Sequence, residues 1–184
     1  MTGKGKIAIA AGIMVIIAFS GAVSGQTTMG ILPVNTEAVK TTVLDARQWQ
    51  IFSTKIQEYF MEGMGGKIIS TKLTREHILL LLKEVPAPDP EKLTEEAFQI
   101  ISKKEKLHYL LKFSVEDLQV SSLNVSTQIR TTIIDGNNGK VFWEKPAKSS
   151  RGVSVPVHNE QVLLDEVFKP LVTEISKEIK SLNY

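Results

Sequence analysis

Three histidines, His77, His108 and His158, are the candidates for imidazole ligation or general-base catalysis. They fall on a predicted helix, a strand and a loop, without the short spacing that metal sites use. Cysteine is absent, which removes thiolate zinc sites, disulfides and cysteine nucleophiles. Gly63-Met64-Gly65-Gly66-Lys67 has the composition of a phosphate loop, whose glycine amides approach phosphate oxygens while a lysine neutralises them. The pattern fails on three counts: Met61 stands where the first glycine belongs, Ile68 replaces the Ser or Thr, and a helix precedes the loop while a strand follows it. Glu116 and Asp117 are adjacent in a strand and point to opposite faces, which is poor geometry for a cooperating acid and base. No nucleophile, base and orienting group stand together, so the expectation is a non-enzymatic protein with no metal and no cofactor. The rival is a hydrolase built from Asp135, His108 or His158.

The other chemistry the sequence offers is processing. Lys4 and Lys6 precede an apolar run, Ile7 to Val23, and Gly25-Gln26-Thr27-Thr28 then turns polar. A basic start, an apolar stretch and a small-residue exit form a secretory leader. Cleavage is expected after Ser24, with Ala22 three residues before the bond, or after Gly25, with Val23 in that place. Residues 1–25 are accordingly assigned to a signal peptide and 26–184 to one domain; retention of the leader as an anchor is the alternative. Val23-Ser24-Gly25 matches the start of a lipobox, but Gln26 stands where lipidation needs a thiol, so no lipid anchor is expected. Removing Lys4 and Lys6 from the 22 basic side chains leaves 20 against 20 acidic ones. A formally neutral chain lacks the basic surplus of a nucleic-acid binder.

The elements that would position any site are read from periodicity. Met29 to Val34 is a short first strand ended by Pro33. Trp49, Phe52, Ile56, Tyr59 and Phe60 form one helix face from about Asp45, with Gly63 and the following glycines expected to end it. Lys67 to Thr71 is a strand. Thr74 caps a helix over Arg75 to Glu84 whose five-residue apolar run, Ile78 to Leu82, predicts burial nearly all round. Asp89-Pro90 reads as the cap and first residue of a further helix carrying Leu93, Ala97, Ile100 and Ile101.

Leu107 to Val115 and Val125 to Ile133 alternate with period two, with the phase slipping at Glu116-Asp117 as a β-bulge would require. Asp135-Gly136-Asn137-Asn138-Gly139 reverses the chain into a shorter strand at Val141-Phe142-Trp143, and Ser149 to His158 reads as a loop. A helical stripe from Leu164 to Leu182 is interrupted by Pro170, which predicts a kink or two abutting helices. The fold class is α/β (α+β), one domain with a mixed sheet containing a three-stranded antiparallel meander packed by helices.

That element order, the opening Gly30-Ile31-Leu32-Pro33, and Ile129 to Trp143 with its Asp-x-x-x-Gly-Lys turn resemble the periplasmic α/β domain shared by the penicillin-binding-protein activator LpoB, the curli secretion protein CsgG and the N-terminal domain of TolB. The resemblance covers roughly residues 28 to 182. It implies an exported bacterial envelope protein, periplasmic or associated with the outer membrane or cell surface, without an active site. The function it implies is an adaptor that binds another envelope protein of the cell-wall synthesis or export machinery. The alternative is a self-associating subunit of an envelope or extracellular assembly. A CsgG-like channel would need further amphipathic strands of roughly 9–11 residues to line a barrel.

Overall fold

The computed structural model describes residues 26–36, 39, 44–85, 89–90, 92–121, 123–153 and 160–184. The expected leader, including Ser24, Gly25 and the run Ile7 to Val23, lies outside the described residues, as does His158. Among the described residues no helix is long and apolar enough to cross a membrane.

Five strands form one mixed sheet in the order β2-β1-β3-β4-β5. β1 (Thr27–Ile31) lies between β2 (Ile68–Lys72) and β3 (Tyr109–Ser121) and is parallel to both. β3, β4 (Asn124–Asp135) and β5 (Val141–Gly152) make the antiparallel meander. The register slips between Val115 and Asp117, so the phase change in the sequence is a bulge. β5 runs to Gly152, well past Trp143 and into the expected loop. It is an edge strand whose polar residues carry no burial signal, and only Trp143 and Ala147 pack on the core.

The sheet is covered on both faces because Leu110 and Leu111 point to opposite sides and each meets a separate core. On one side α1 (Ala46–Met64) and α5 (Lys169–Ser181) enclose Met29, Ile31, Leu111, Phe113, Ile129 and Ile133. On the other, α2 (Arg75–Leu81) and α3 (Glu95–Glu105) pack over Leu110 and Ile134. α1 starts at Asp45, whose carboxylate accepts from Gln48 N–H at 2.8 Å while the Gln48 side chain accepts from Asp45 N–H at 2.9 Å.

Four expectations change. Gly63 itself lies inside α1, and the stop falls on the next glycine of the expected run, Gly65. α2 buries Ile78, and Leu82 just beyond it, but leaves Leu79 42% and Leu80 66% exposed, since a helix lying against a sheet hides only one stripe. α3 is capped by Thr94, whose hydroxyl accepts from Ala97 N–H, while Asp89 accepts Lys92 N–H in a turn. The stripe around Pro170 is a one-turn helix α4 (Glu160–Val162), a π-helical segment over Leu163–Phe168 and then α5. Proline cannot donate to the carbonyl one α-turn back, and the wider π turn also keeps Leu163, Leu164, Val167, Phe168, Leu171 and Val172 on the core side despite their strict four-residue spacing.

Candidate functional site

Beyond β1 the chain stays beside β3 as far as Asn35, whose N–H donates to Phe113 O, Leu73 beyond β2 still donates to Ile31 O, and α1 lies against both exits. In open α/β sheets this carboxyl-end crevice is where ligands sit. A groove of about 550 Å³ opens there, floored by the flank of α1 that meets the strand exits and walled by Pro33, Val34, Lys72 and the start of α2. Its volume falls in the range of ligand clefts.

The stripe Trp49, Ser53, Gln57 recurs every fourth residue and so faces the groove along α1. Trp49 is half-buried, its ring held edge-on by Phe52 at 5.1 Å between centroids. Ser53 Oγ accepts the N–H of Val34 at 2.9 Å, tying the strand exit to the helix. Gln57 is 4% exposed, and its amide nitrogen donates to the carbonyls of Ile31 at 2.8 Å and Leu73 at 3.0 Å. One side chain therefore ties the last carbonyl of β1, which also accepts from Leu73 N–H at 3.0 Å, to the first carbonyl beyond β2.

Charge at the rim is mixed. Lys72 Nζ stands 3.7 Å from Glu58, which is held more closely by Lys55 at 2.8 Å. The hydrogen bond from Lys55 holds the Glu58 carboxyl below its usual range. Glu76 is likewise lowered, by its own backbone amide and then the Thr74 hydroxyl. No nucleophile is paired with a base among the lining side chains. The groove offers an aromatic face, hydroxyls, amides and two cations, which are the means of recognition.

Searches by sequence give no match: no protein-family model fits the chain, and no curated protein matches it. Solved structures do. The chain is similar in fold to the hypothetical protein CT253 from Chlamydia trachomatis, with a TM-score of 0.55 at 12% identity over 86% of this chain and 100% of that one. It is similar to lipoprotein GNA1162 from Neisseria meningitidis, with a TM-score of 0.50 at 13% identity over 85% and 99%. The LpoB C-terminal domain from Escherichia coli aligns with a TM-score of 0.46 at 14% identity over 71% and 87%. At these identities the likeness is one of fold. The resemblance to LpoB, CsgG and TolB rests on the element order and the sequence motifs.

Among the described residues, the side chains singled out in the sequence engage separate partners. His77 Nε2 pairs with Glu105 at 3.1 Å. His108 Nδ1 accepts from the N–H of Thr28 at 3.1 Å, at the opposite end of the sheet from the groove. Asp135 turns its carboxylate into its own hairpin, accepting from Asn137 N–H at 2.7 Å and Asn138 Nδ2 at 3.3 Å. Glu116 and Asp117 diverge: Glu116 accepts from Arg130 at 2.5 Å and Gln128 at 2.8 Å, and Asp117 accepts from Gln119. Lys67, the lysine of the glycine run, donates to the carbonyls of Lys180 and Leu182 at the end of α5. Among the described residues no three His, Cys, Asp or Glu side chains converge as metal ligands would. Sequence reading missed Ser53 and Gln57 because polar residues on a helix ordinarily signal its solvated side.

Proposed function

We propose that this chain is a non-enzymatic accessory protein of the bacterial envelope that binds another envelope protein through the groove between α1 and the ends of β1 and β2. The observation that carries this reading is the groove itself, ligand-sized and lined by an aromatic ring, hydroxyls and amides with no acid–base pair. In this reading residues 1–25 are a leader removed after Ser24 or Gly25, residues 26–184 are the exported domain in the periplasm or at the cell surface, and Gln26 leaves it without a lipid. Partner recognition rests on mixed apolar and polar contacts, as the neutral charge balance suggests.

Self-assembly is the second reading, favoured by the open outer edge of β5, a 12-residue strand paired on one side only. A photo-crosslinking residue placed at Thr54 in the groove, or at Ser150 on β5, separates the two in intact cells. A single envelope protein captured from Thr54 supports the adaptor, and multiples of the chain captured from Ser150 support the assembly subunit. Capture at neither position defeats both. The intact mass of the envelope-extracted protein tests the leader: retention of Met1 to Val23 would refute its removal.

A further inference from the structure

Asn138 is the one asparagine in the sequence that a glycine follows. That pair carries a reaction of its own. Once the backbone nitrogen of Gly139 has given its proton to hydroxide, it can attack Cγ of the Asn138 amide, and glycine has no side chain to block the approach. An N–C bond forms, the Cγ–Nδ2 bond breaks, and the departing nitrogen takes a proton from water and leaves as ammonia. Water then opens the cyclic imide at either carbonyl, giving aspartate or isoaspartate. Nothing is oxidised or reduced.

The folded hairpin holds each participant out of this reaction. Gly139 N–H, the source of the nucleophile, donates to Asp135 O at 2.8 Å. Gly139 is also buried against the backbone of Glu95, so α3 shields this amide from the hydroxide that must deprotonate it. The electrophile is pinned at both ends. Asn138 Oδ1 accepts from Lys140 N–H at 2.8 Å, which fixes the amide orientation because a backbone N–H only donates, and Nδ2 donates to Asp135 Oδ2 at 3.3 Å. From α3, Gln99 Nε2 donates to Asn138 O at 2.9 Å. The bond from Lys140 also polarises the Asn138 carbonyl, which alone would speed attack. The buried and engaged nucleophile outweighs it, since no attack begins until Gly139 loses its proton.

We propose that Asn138 is a deamidation site gated by the docking of the β4–β5 hairpin on α3, so that opening of the hairpin is converted into a permanent chemical change. The product does not restore the closed turn. A carboxylate replaces the amide that donates to Asp135, which sets two negative groups side by side. Isoaspartate also adds a backbone carbon between Asp135 and Lys140, whose N–H and C=O close the turn. Modified chains therefore stay undocked at this end of the sheet, whatever the groove binds.

The test incubates the full chain at mildly alkaline pH, folded and in urea, and follows the tryptic peptide Thr131–Lys140 by mass spectrometry. Fragmentation separates Asn138 from Asn137, and enzymatic isoaspartate methylation identifies the product. The chain in urea should convert at Asn138, and the folded chain at least about tenfold more slowly, because local opening must come first. Gln99→Ala, with folding checked by circular dichroism, should raise the folded rate about fivefold, the scale of one lost hydrogen bond, and leave the rate in urea unchanged. Folded chains that have gained the charge, separated by anion exchange, should melt below unmodified ones. Absence of conversion in urea removes the site. Equal rates in the two states, or a folded rate that Gln99→Ala leaves unchanged, remove the gate, and equal melting of modified and unmodified chains removes the lasting undocking.

Discussion

Gly139 lies against the first turn of α3, where a β-carbon added to it would stand 2.2 Å from the carbonyl oxygen of Glu95. The β4–β5 hairpin is thus docked on a helix 44 positions earlier in the chain. Gly139 also has φ +71, the left-handed region, whereas Gly66 has φ +85 with nothing within 4 Å of an added carbon. Gly66→Ala should therefore carry only the backbone cost, about 1 kcal/mol. Gly139→Ala should carry both costs and lower stability by about 1–3 kcal/mol. Chemical denaturation of the two variants checks the difference; equal losses would mean that Glu95 yields freely.

The hairpin was legible in the sequence, but the reason for its glycines was only partly so. Gly136 does not have a positive φ; it is needed because Leu107 O and the Ser102 side chain would both lie 2.7 Å from a β-carbon. Tertiary approach of this kind leaves no local signature. The same holds for the misplaced start of α3, where Asp89-Pro90 and Thr94 are both acceptable caps and packing of Phe98 and Ile101 decides between them. The candidate site was the least legible part, because Val34 after β1, Ser53 and Gln57 on α1 and Lys72 at the end of β2 come from three parts of the chain and are ordinary residues in each. Periodicity reports which residues face a core; it does not report which polar side chain is buried between two strand ends.

Gly63 gives a second packing test. A β-carbon there would stand 2.6 Å from both Cβ and Oγ of Ser176, so α1 and α5 approach closely at this pair. Ser176 Oγ is fully buried and has no partner. Gly63→Ala should cost about 1–3 kcal/mol through overpacking. Combined with Ser176→Gly it should cost less than the two single losses together, because removing one side chain makes room for the other. Additive losses in a double-mutant cycle would show that the helices separate instead.

On the open face of the meander, Arg130 is gripped by Glu116 at 2.5 Å and Glu144 at 2.6 Å. The hydrogen bond from Arg130, then that from Gln128, holds the Glu116 carboxyl below its ordinary value of 4.5. A carboxyl lowered on folding stabilises the native state above its unfolded pKa, and this contribution disappears as pH falls through the native value. The melting temperature of Glu116→Gln should therefore lie below wild type at neutral pH, and the gap should close in acid below pH 4.5. The effect is modest, since the side chains are partly exposed and screened by water. A gap that persists unchanged into strong acid would assign it to lost packing rather than charge.

The outer edge of β5 decides how readily the chain pairs with itself. Asp135 N–H donates to Lys140 O, and its carbonyl accepts from Gly139 N–H, so the backbone of Asp135 points toward β5. Alternation then turns odd-numbered residues of β4 toward β5 and even-numbered ones toward β3, in keeping with Gly136 N–H donating to His108 O. Arg130 and Pro146 are opposite each other, so theirs is a pair without mutual hydrogen bonds, and the missing N–H of Pro146 falls on the solvent side. Proline there costs the native ladder nothing, yet a second strand laid along the edge would find no donor midway. Glu144, Lys145 and Lys148 surround the gap with charge, which further discourages an apolar strand. Replacing Pro146 with Val and Lys148 with Thr should raise the sedimentation coefficient relative to wild type at matched concentration, with the folded domain unchanged by circular dichroism. An unchanged coefficient would mean that Pro146 does not guard this edge, and a wild-type chain that already sediments as a multimer would move self-assembly to a surface other than β5.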